Sequence, residues 1–186
     1  DTKEEIAFEK LGIVKEGIPL FTSETDKHLL EMFSRVCRER KSQLFPTFYE
    51  NPVTQVEVSL QGTFFKSWYK SWGNLEIFTP LIGDHQAINT SLALAVMEQL
   101  PGPFLPKKEA LIEGSSLVDW PGRIQVEKKS GVTWIFDIAH NKAGASALVN
   151  TLKCLQLEGP TVVLVSVLVD KDWKGIFFEL VNVADY

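Results

Sequence analysis

Between Trp120 and Leu152 the chain reads WPGRIQVEKKSGVTWIFDIAHNKAGASALVNTL, and this stretch constrains the fold more than any other. Val132, Trp134, Ile135 and Phe136 have the β-branched and aromatic character of a strand. Asp137 and the run Ile-Ala-His-Asn follow, and a helix rich in small residues begins near Ala143. A polar cluster between the carboxyl end of a buried strand and the start of a helix is where α/β proteins place ligands. Arg123 lies on the strand before, across a short turn at Lys129–Gly131. The pattern predicts a hairpin of Arg123–Lys128 and Val132–Asp137, a helix over Ala143–Leu155, a strand over Thr161–Val167 and a helix from Trp173. Strand–helix–strand of this length implies a parallel pair joined by a right-handed crossover. Asp137 and Lys171 would then leave the carboxyl ends of neighbouring strands and face one crevice.

Upstream, Thr2-Lys-Glu-Glu5 is a capping box that opens a helix running to about Leu11 and stopping at Gly12. Ile18–Phe21 reads as a short strand. A helix starting near Thr25-Asp26 carries Leu29, Leu30, Phe33, Val36 and Cys37 on one face, and Leu44–Phe48 is the next strand candidate. From Val53 to Thr79 apolar residues alternate with polar ones around Gln61-Gly62 and Gly73-Asn74, the pattern of an antiparallel meander. Gly83 opens a long helix to about Leu100, and Pro101, Gly102, Pro103 and Pro106 begin a linker.

Of 186 residues, 45% are hydrophobic and 23% charged, the balance of a globular protein with one large or two small domains. A net charge of −5 argues against a general basic surface for nucleic acid or anionic lipid. No apolar run approaches the roughly 20 residues that span a bilayer. Cys37 and Cys154 each fall in a helical apolar pattern and are expected to be buried thiols rather than a disulfide, which suits a reducing compartment. No Cys/His spacing of a metal site occurs.

Five blocks occur in order: IAFEKLGIVKEGIP (Ile6–Pro19), GDHQAIN (Gly83–Asn89), WPGR (Trp120–Arg123), FDIAHN (Phe136–Asn141) and VLVDKD (Val167–Asp172). Together they resemble the folylpolyglutamate synthase/dihydrofolate synthase branch of the Mur ligase superfamily. The resemblance spans nearly the whole chain except the meander region near Thr25–Thr79. It implies an α/β fold in which residues 1–119 are the tail of a P-loop-type Mur ligase central domain, and 120–186 the first part of a Rossmann-like C-terminal glutamate-ligase domain. It further implies an enzyme that uses ATP and Mg2+ to turn a carboxylate of folate or dihydropteroate into an acyl phosphate, which the amine of L-glutamate attacks. By the same resemblance Lys10 is the lysine that, carbamylated, serves near the metals; Asn89 contacts adenine; Arg123 reaches the nucleotide phosphates. Asp137 matches the aspartate at the ribose, His140 lies beside it near the phosphates, and Lys171 matches a lysine holding the incoming glutamate. A full-length parent of this type is expected to be a cytoplasmic (in a eukaryote, also mitochondrial) monomer, bound to neither nucleic acid nor membrane.

The chain departs from the family pattern Asp-Gly-Ala-His-Asn-Pro at Ile138 and Lys142, so this loop is expected to be extended or re-set, because a β-branched residue resists conformations open to glycine. The phosphate-cradling pattern G-x-x-x-x-G-K-[ST] occurs nowhere in the 186 residues. With both ends looking cut, the chain is expected to be a catalytically incomplete piece of a longer enzyme. Plainer roles stand beside these. Lys10 could be a solvated helix lysine, and Asp84 and His85 a helix cap and a first-turn residue. Arg123 could pair with Glu127 or Asp119, and Lys171 could be part of a charged turn. Asp137 and His140 could be a strand-end turn with an Asx hydrogen bond. Another Mur-type amino-acid ligase acting on peptidoglycan precursors, or a non-catalytic nucleotide-binding remnant, are the alternative functions.

Overall fold

The computed structural model describes residues 2–186 and shows a mixed α/β fold. The chain divides into two compact units, one of residues 2–54, 66–75 and 88–111, the other of 55–65, 76–87 and 112–186.

In the first unit the capping box forms as expected: Thr2 accepts from the Glu5 amide at 3.2 Å, and the Glu5 carboxylate accepts from the Thr2 amide at 2.7 Å. It opens α1 (Lys3–Lys10), which tightens into a 3-10 turn at Leu11–Ile13. Strands β1 (Leu20–Thr22) and β2 (Leu44–Pro46) pair in parallel, Leu20 opposite Leu44, with α2 (Lys27–Glu39) between them. Asp26 caps α2 by accepting from the His28 and Leu29 amides. Leu11, Val14 and Cys37 are buried together, with Leu20, Met32, Phe33, Val36 and Leu44 packed against them. Burial pushes the Cys37 thiol above its ordinary range. A short helix α3 (Thr47–Glu50) follows.

The meander forms as a three-stranded sheet in the order β3 (Thr54–Ser59), β4 (Gly62–Tyr69), β5 (Gly73–Thr79), followed by α4 (Asp84–Glu98). Along β5 burial alternates, with Leu75, Ile77 and Thr79 inward, as a half-buried strand requires. In the first unit a polar knot is closed inside the core. The Tyr69 hydroxyl meets Ser91 Oγ at 2.9 Å and the Ser91 carbonyl at 3.2 Å, while Ser67 and Ser91 both donate to the Asn51 carbonyl at 3.2 Å. The proline-rich stretch after α4, expected to begin a linker, runs into a helix, α5 (Lys108–Ser116). Its KEALIEGSS run contains good helix formers just beyond the last proline, and Lys108 reaches back to the Asn74 carbonyl at 3.0 Å.

In the second unit, β6 (Gln125–Lys129) and β7 (Val132–Phe136) form the expected antiparallel hairpin, followed by α6 (Lys142–Leu155) and α7 (Trp173–Leu180). Ala145, Val149, Ile176 and Leu180 form its core, with Leu148, Val163, Val167 and Val183 against them. The expected strand at Thr161–Val167 is not assigned to any sheet. Its backbone bonds instead run to the chain's last residues: Val163 donates to Tyr186 at 3.2 Å, and Asp185 donates to Thr161 at 2.9 Å. β propensity favours an extended backbone, but a ladder also needs an adjacent strand, which local sequence does not specify. Cys154, expected to be buried, is exposed on α6.

The knot around Tyr69 predicts that Tyr69→Phe removes one of the buried partners of Ser91 and lowers unfolding free energy by about 1–2 kcal/mol, read by urea denaturation.

Candidate functional site

The hairpin turns through Ser130 (φ 53°) and Gly131 (φ 76°), the two positive-φ residues of a tight type I′ turn. Antiparallel pairing sets Gln125 opposite Phe136, so residues 122–124 lie beside 137–139. The two loop segments are tied together by backbone: Ile138 donates to the Gly122 carbonyl at 3.0 Å. Asp137 completes the tie. Its Oδ2 accepts from the Ile124 amide at 3.0 Å, and its Oδ1 accepts from the Ala139 amide at 2.8 Å. Ile124 is held at φ 50°, a strained value for a β-branched residue, with its side chain 2% exposed.

This geometry resolves the departure at Ile138. Ile138 is absent from the residues with positive φ, so it sits in backbone that a β-branched residue adopts without cost. The special conformation belongs to Gly122 instead, at φ +75°, where a Cβ would lie 2.9 Å from Ile138 Cγ2. Ile138 occupies the space that Gly122 leaves open.

Asn141 begins α6 from extended backbone and accepts from the Gly144 amide at 2.8 Å, satisfying one orphan donor of the first turn. His140, exposed, places Nδ1 3.2 Å from the Ile138 carbonyl. With the proton on Nδ1, Nε2 is left as the acceptor. The exposed Arg123, the half-buried Asp137 and His140 thus come from two adjoining loops of one unit. Lys171, in the same unit, is exposed with Nζ 3.2 Å from Asp170, and Asp172 caps α7 through the Gly175 amide at 3.0 Å. Lys10, at the end of α1, and Asn89, on α4, are exposed residues of the other unit.

His85, expected as a first-turn residue of α4, feels charges from this loop pair. His85 is half-buried, and burial lowers its pKa from the ordinary 6.5; the carboxylates of Asp137 and Asp84 pull it up, and the Arg123 guanidinium pushes it down. Local pattern carries no trace of this coupling, since these groups are distant in sequence. Among the described residues no group of three or more His, Cys, Asp or Glu side chains is arranged to hold a metal ion. No described helix is long and apolar enough to cross a membrane.

Fold and site define an α/β protein with a ligand-type polar loop between a strand and a helix. No protein-family model matches the chain. The dihydrofolate synthase/folylpolyglutamate synthase of Bacillus subtilis is 31% identical over 189 residues, covering 99% of this chain and 43% of its own length. The Mycobacterium tuberculosis protein of the same name is 41% identical over 113 residues, covering 59% of this chain and 23% of its own length. Among solved structures, folylpolyglutamate synthase of Thermotoga maritima superposes with a TM-score of 0.81 at 28% identity, covering 98% of this chain and 42% of that one. The Mycobacterium tuberculosis folylpolyglutamate synthase complexed with ADP gives 0.86 at 29% identity, covering 100% and 42%. The homologues and structural neighbours of this chain are therefore folylpolyglutamate and dihydrofolate synthases, and the chain spans less than half the length of these relatives.

Asp137→Ala removes the acceptor of two backbone amides. It is expected to cost about 1–3 kcal/mol of stability, with faster hydrogen exchange at the Ile124 and Ala139 amides than at the Ala145 amide.

Proposed function

We propose that this chain is part of an ATP-dependent carbon–nitrogen ligase that joins L-glutamate to folate or dihydropteroate. Residues 1–119 would be the tail of a P-loop-type central domain, and 120–186 the start of a Rossmann-like glutamate-ligase domain. The observation that carries the reading is the Arg123–Asp137–His140 constellation on joined loops, in a chain 29% identical to a synthase whose structure holds ADP.

In this reading a substrate carboxylate oxygen attacks the γ-phosphorus of ATP and ADP leaves. The glutamate amine then attacks the acyl carbon, the amine loses a proton and inorganic phosphate leaves. Asp137 is suited to the ribose, because a carboxylate offers about four lone-pair sites and the backbone takes two of them. Arg123, exposed and permanently charged, is suited to phosphate oxygens, and His140 lies at the start of α6, where the helix dipole also favours negative charge. Asn89 would meet adenine, Lys171 the carboxylate of the incoming glutamate, and Lys10 would act in carbamylated form. The described residues do not by themselves fit a magnesium site, and no step is assigned to the metal. Reduced thiols suit a cytoplasmic enzyme, and a human relative is named as mitochondrial.

The test places this chain in the matching region of the Bacillus subtilis relative and measures ADP release. Release is expected to require both a folate or pteroate acceptor and glutamate, and Asp137→Ala is expected to raise the KM for ATP about tenfold, the cost of one or two ribose hydrogen bonds. Activity on a muramoyl nucleotide in place of folate, or an unchanged KM, would overturn the assignment. The 186-residue chain by itself, without a G-x-x-x-x-G-K-[ST] cradle, is expected to bind ATP weakly and to release no phosphate in response to glutamate.

A further inference from the structure

The turn that carries Arg123 contains a swivel. Gly122, at φ +75°, has no Cβ to confine it and is bonded directly to Arg123. A glycine free to turn there would carry the guanidinium through many directions. The fold blocks the swivel from outside. Ile138, where the sequence departs from Asp-Gly-Ala-His-Asn-Pro, places Cγ2 2.9 Å from the position that a Gly122 Cβ would take. That methyl stands in for the missing Cβ and fills the space beside the glycine. Both polar groups of Gly122 are engaged as well. Its amide donates to Gln125 Oε1 at 3.1 Å, and its carbonyl accepts from the Ile138 amide at 3.0 Å. Gln125 is itself oriented by Glu127, whose Oε1 accepts from Gln125 Nε2 at 2.9 Å. On the far side of Arg123, the Ile124 amide is held by Asp137.

We propose that Ile138 is a positioning residue for Arg123: its Cγ2 methyl, seated on Gly122, locks the swivel and presets the arginine backbone for a nucleotide phosphate. The proposal deepens the ligase reading given above and rests on it for the nature of the ligand. Ile138 acts only through Arg123. Ordering a long, rotamer-rich arginine on binding costs conformational freedom, and a turn held in one arrangement beforehand loses less of it.

The side chain, rather than the backbone, is what makes this residue particular. Any amino acid but proline at position 138 would offer the same amide to the Gly122 carbonyl. Ile138 is 54% exposed, so more than half of its surface takes no part in packing a core. What isoleucine adds is a branched γ carbon on a stiff χ1, which keeps the methyl where the glycine needs it. Valine and threonine carry a methyl at the same position, and alanine does not.

The experiment compares the 186-residue chain with its Ile138→Val, Ile138→Thr and Ile138→Ala variants. Amide hydrogen exchange is read first. In Ile138→Ala the Gly122 and Ile124 amides are expected to exchange at least about tenfold faster than in the other forms, with the Ala145 amide of α6 unchanged. Equal exchange at Gly122 and Ile124 in all forms would overturn the proposal without reference to a nucleotide. ADP is then titrated and followed by NMR. Its Kd is expected to rise about threefold to tenfold in Ile138→Ala and to stay within about twofold in the Val and Thr variants. In an Arg123→Gln background, Ile138→Ala is expected to change the Kd by less than about twofold. An equal rise with and without Arg123 would overturn the positioning role and leave the ligase reading standing. A wild-type chain that binds no ADP, or whose Kd is unmoved by Arg123→Gln, would overturn the ligase reading and this proposal together. Should Ile138→Ala fail to fold, Ile138→Ser, which also lacks the methyl, takes its place in both measurements.

Discussion

Both oxygens of Asp137 are committed to backbone amides, and the geometry around the strand-to-helix loop hangs on that commitment. One amide belongs to Ile124, whose positive φ costs on the order of 1–3 kcal/mol. Two terms offset the strain. The amide–carboxylate hydrogen bond is charge-assisted and contributes about 1.5–3 kcal/mol, and the Ile124 side chain is buried, adding about 1.5–3 kcal/mol. The loop before β6 is thereby fixed next to the loop after β7, and Arg123, immediately before Ile124, is carried with it. An exposed arginine on a free loop would sample many directions. Here its backbone is tied within one residue of the carboxylate that shares its site.

A residue can hold a loop and bind a ligand only if its polar capacity exceeds what the loop consumes. Asp137 meets that condition, with two of about four lone-pair sites taken. Asn141 meets it less fully: its side-chain oxygen accepts from Gly144, while its amide hydrogens have no partner in the cap. Lys171 meets it least, because its ammonium is drawn to Asp170 on an exposed turn, where such a pair is weak and easily exchanged. This ordering ranks the three by how firmly the fold presets them, with Asp137 the most fixed and Lys171 the most adaptable.

The elements that the sequence made legible are those whose information is local. The Thr2–Glu5 box, the Asp26 cap, the alternation along β5 and the positive-φ turn at Ser130-Gly131 each lie within a few residues, and each forms. Where the outcome depends on distant partners, local pattern misleads. The apolar run VVLVSVLV has strand composition, yet only Val163 and Val167 pack against the helix core, while Leu164 and Val169 are 86% and 91% exposed. The prolines before α5 are a strong local signal for a linker, and its helix formers lie just past them. Cys154 falls in an apolar helical pattern, yet it is exposed on α6. The five family blocks were legible because each pairs a turn-forming residue with a polar one at fixed spacing. The coupling of His85 to Asp137 and Arg123 was not, since it joins three of those blocks through space.

Without a glycine-rich cradle in these 186 residues, the sequence offers no G-x-x-x-x-G-K-[ST] ring of backbone amides to an anion. Arg123 is then the principal cation that the second unit's loop offers to a phosphate, and its usefulness depends on the charge of its surroundings. Asp137, held against the Ile124 amide next to Arg123 in the chain, is negative and attracts the guanidinium. One arginine beside one carboxylate is close to electrically balanced before any anion arrives. Phosphate affinity in such a site is therefore decided by how the arginine is oriented rather than by net charge. Orientation is what the ties among Gly122, Ile124, Asp137 and Ile138 supply, and the strain held at Ile124 is part of them.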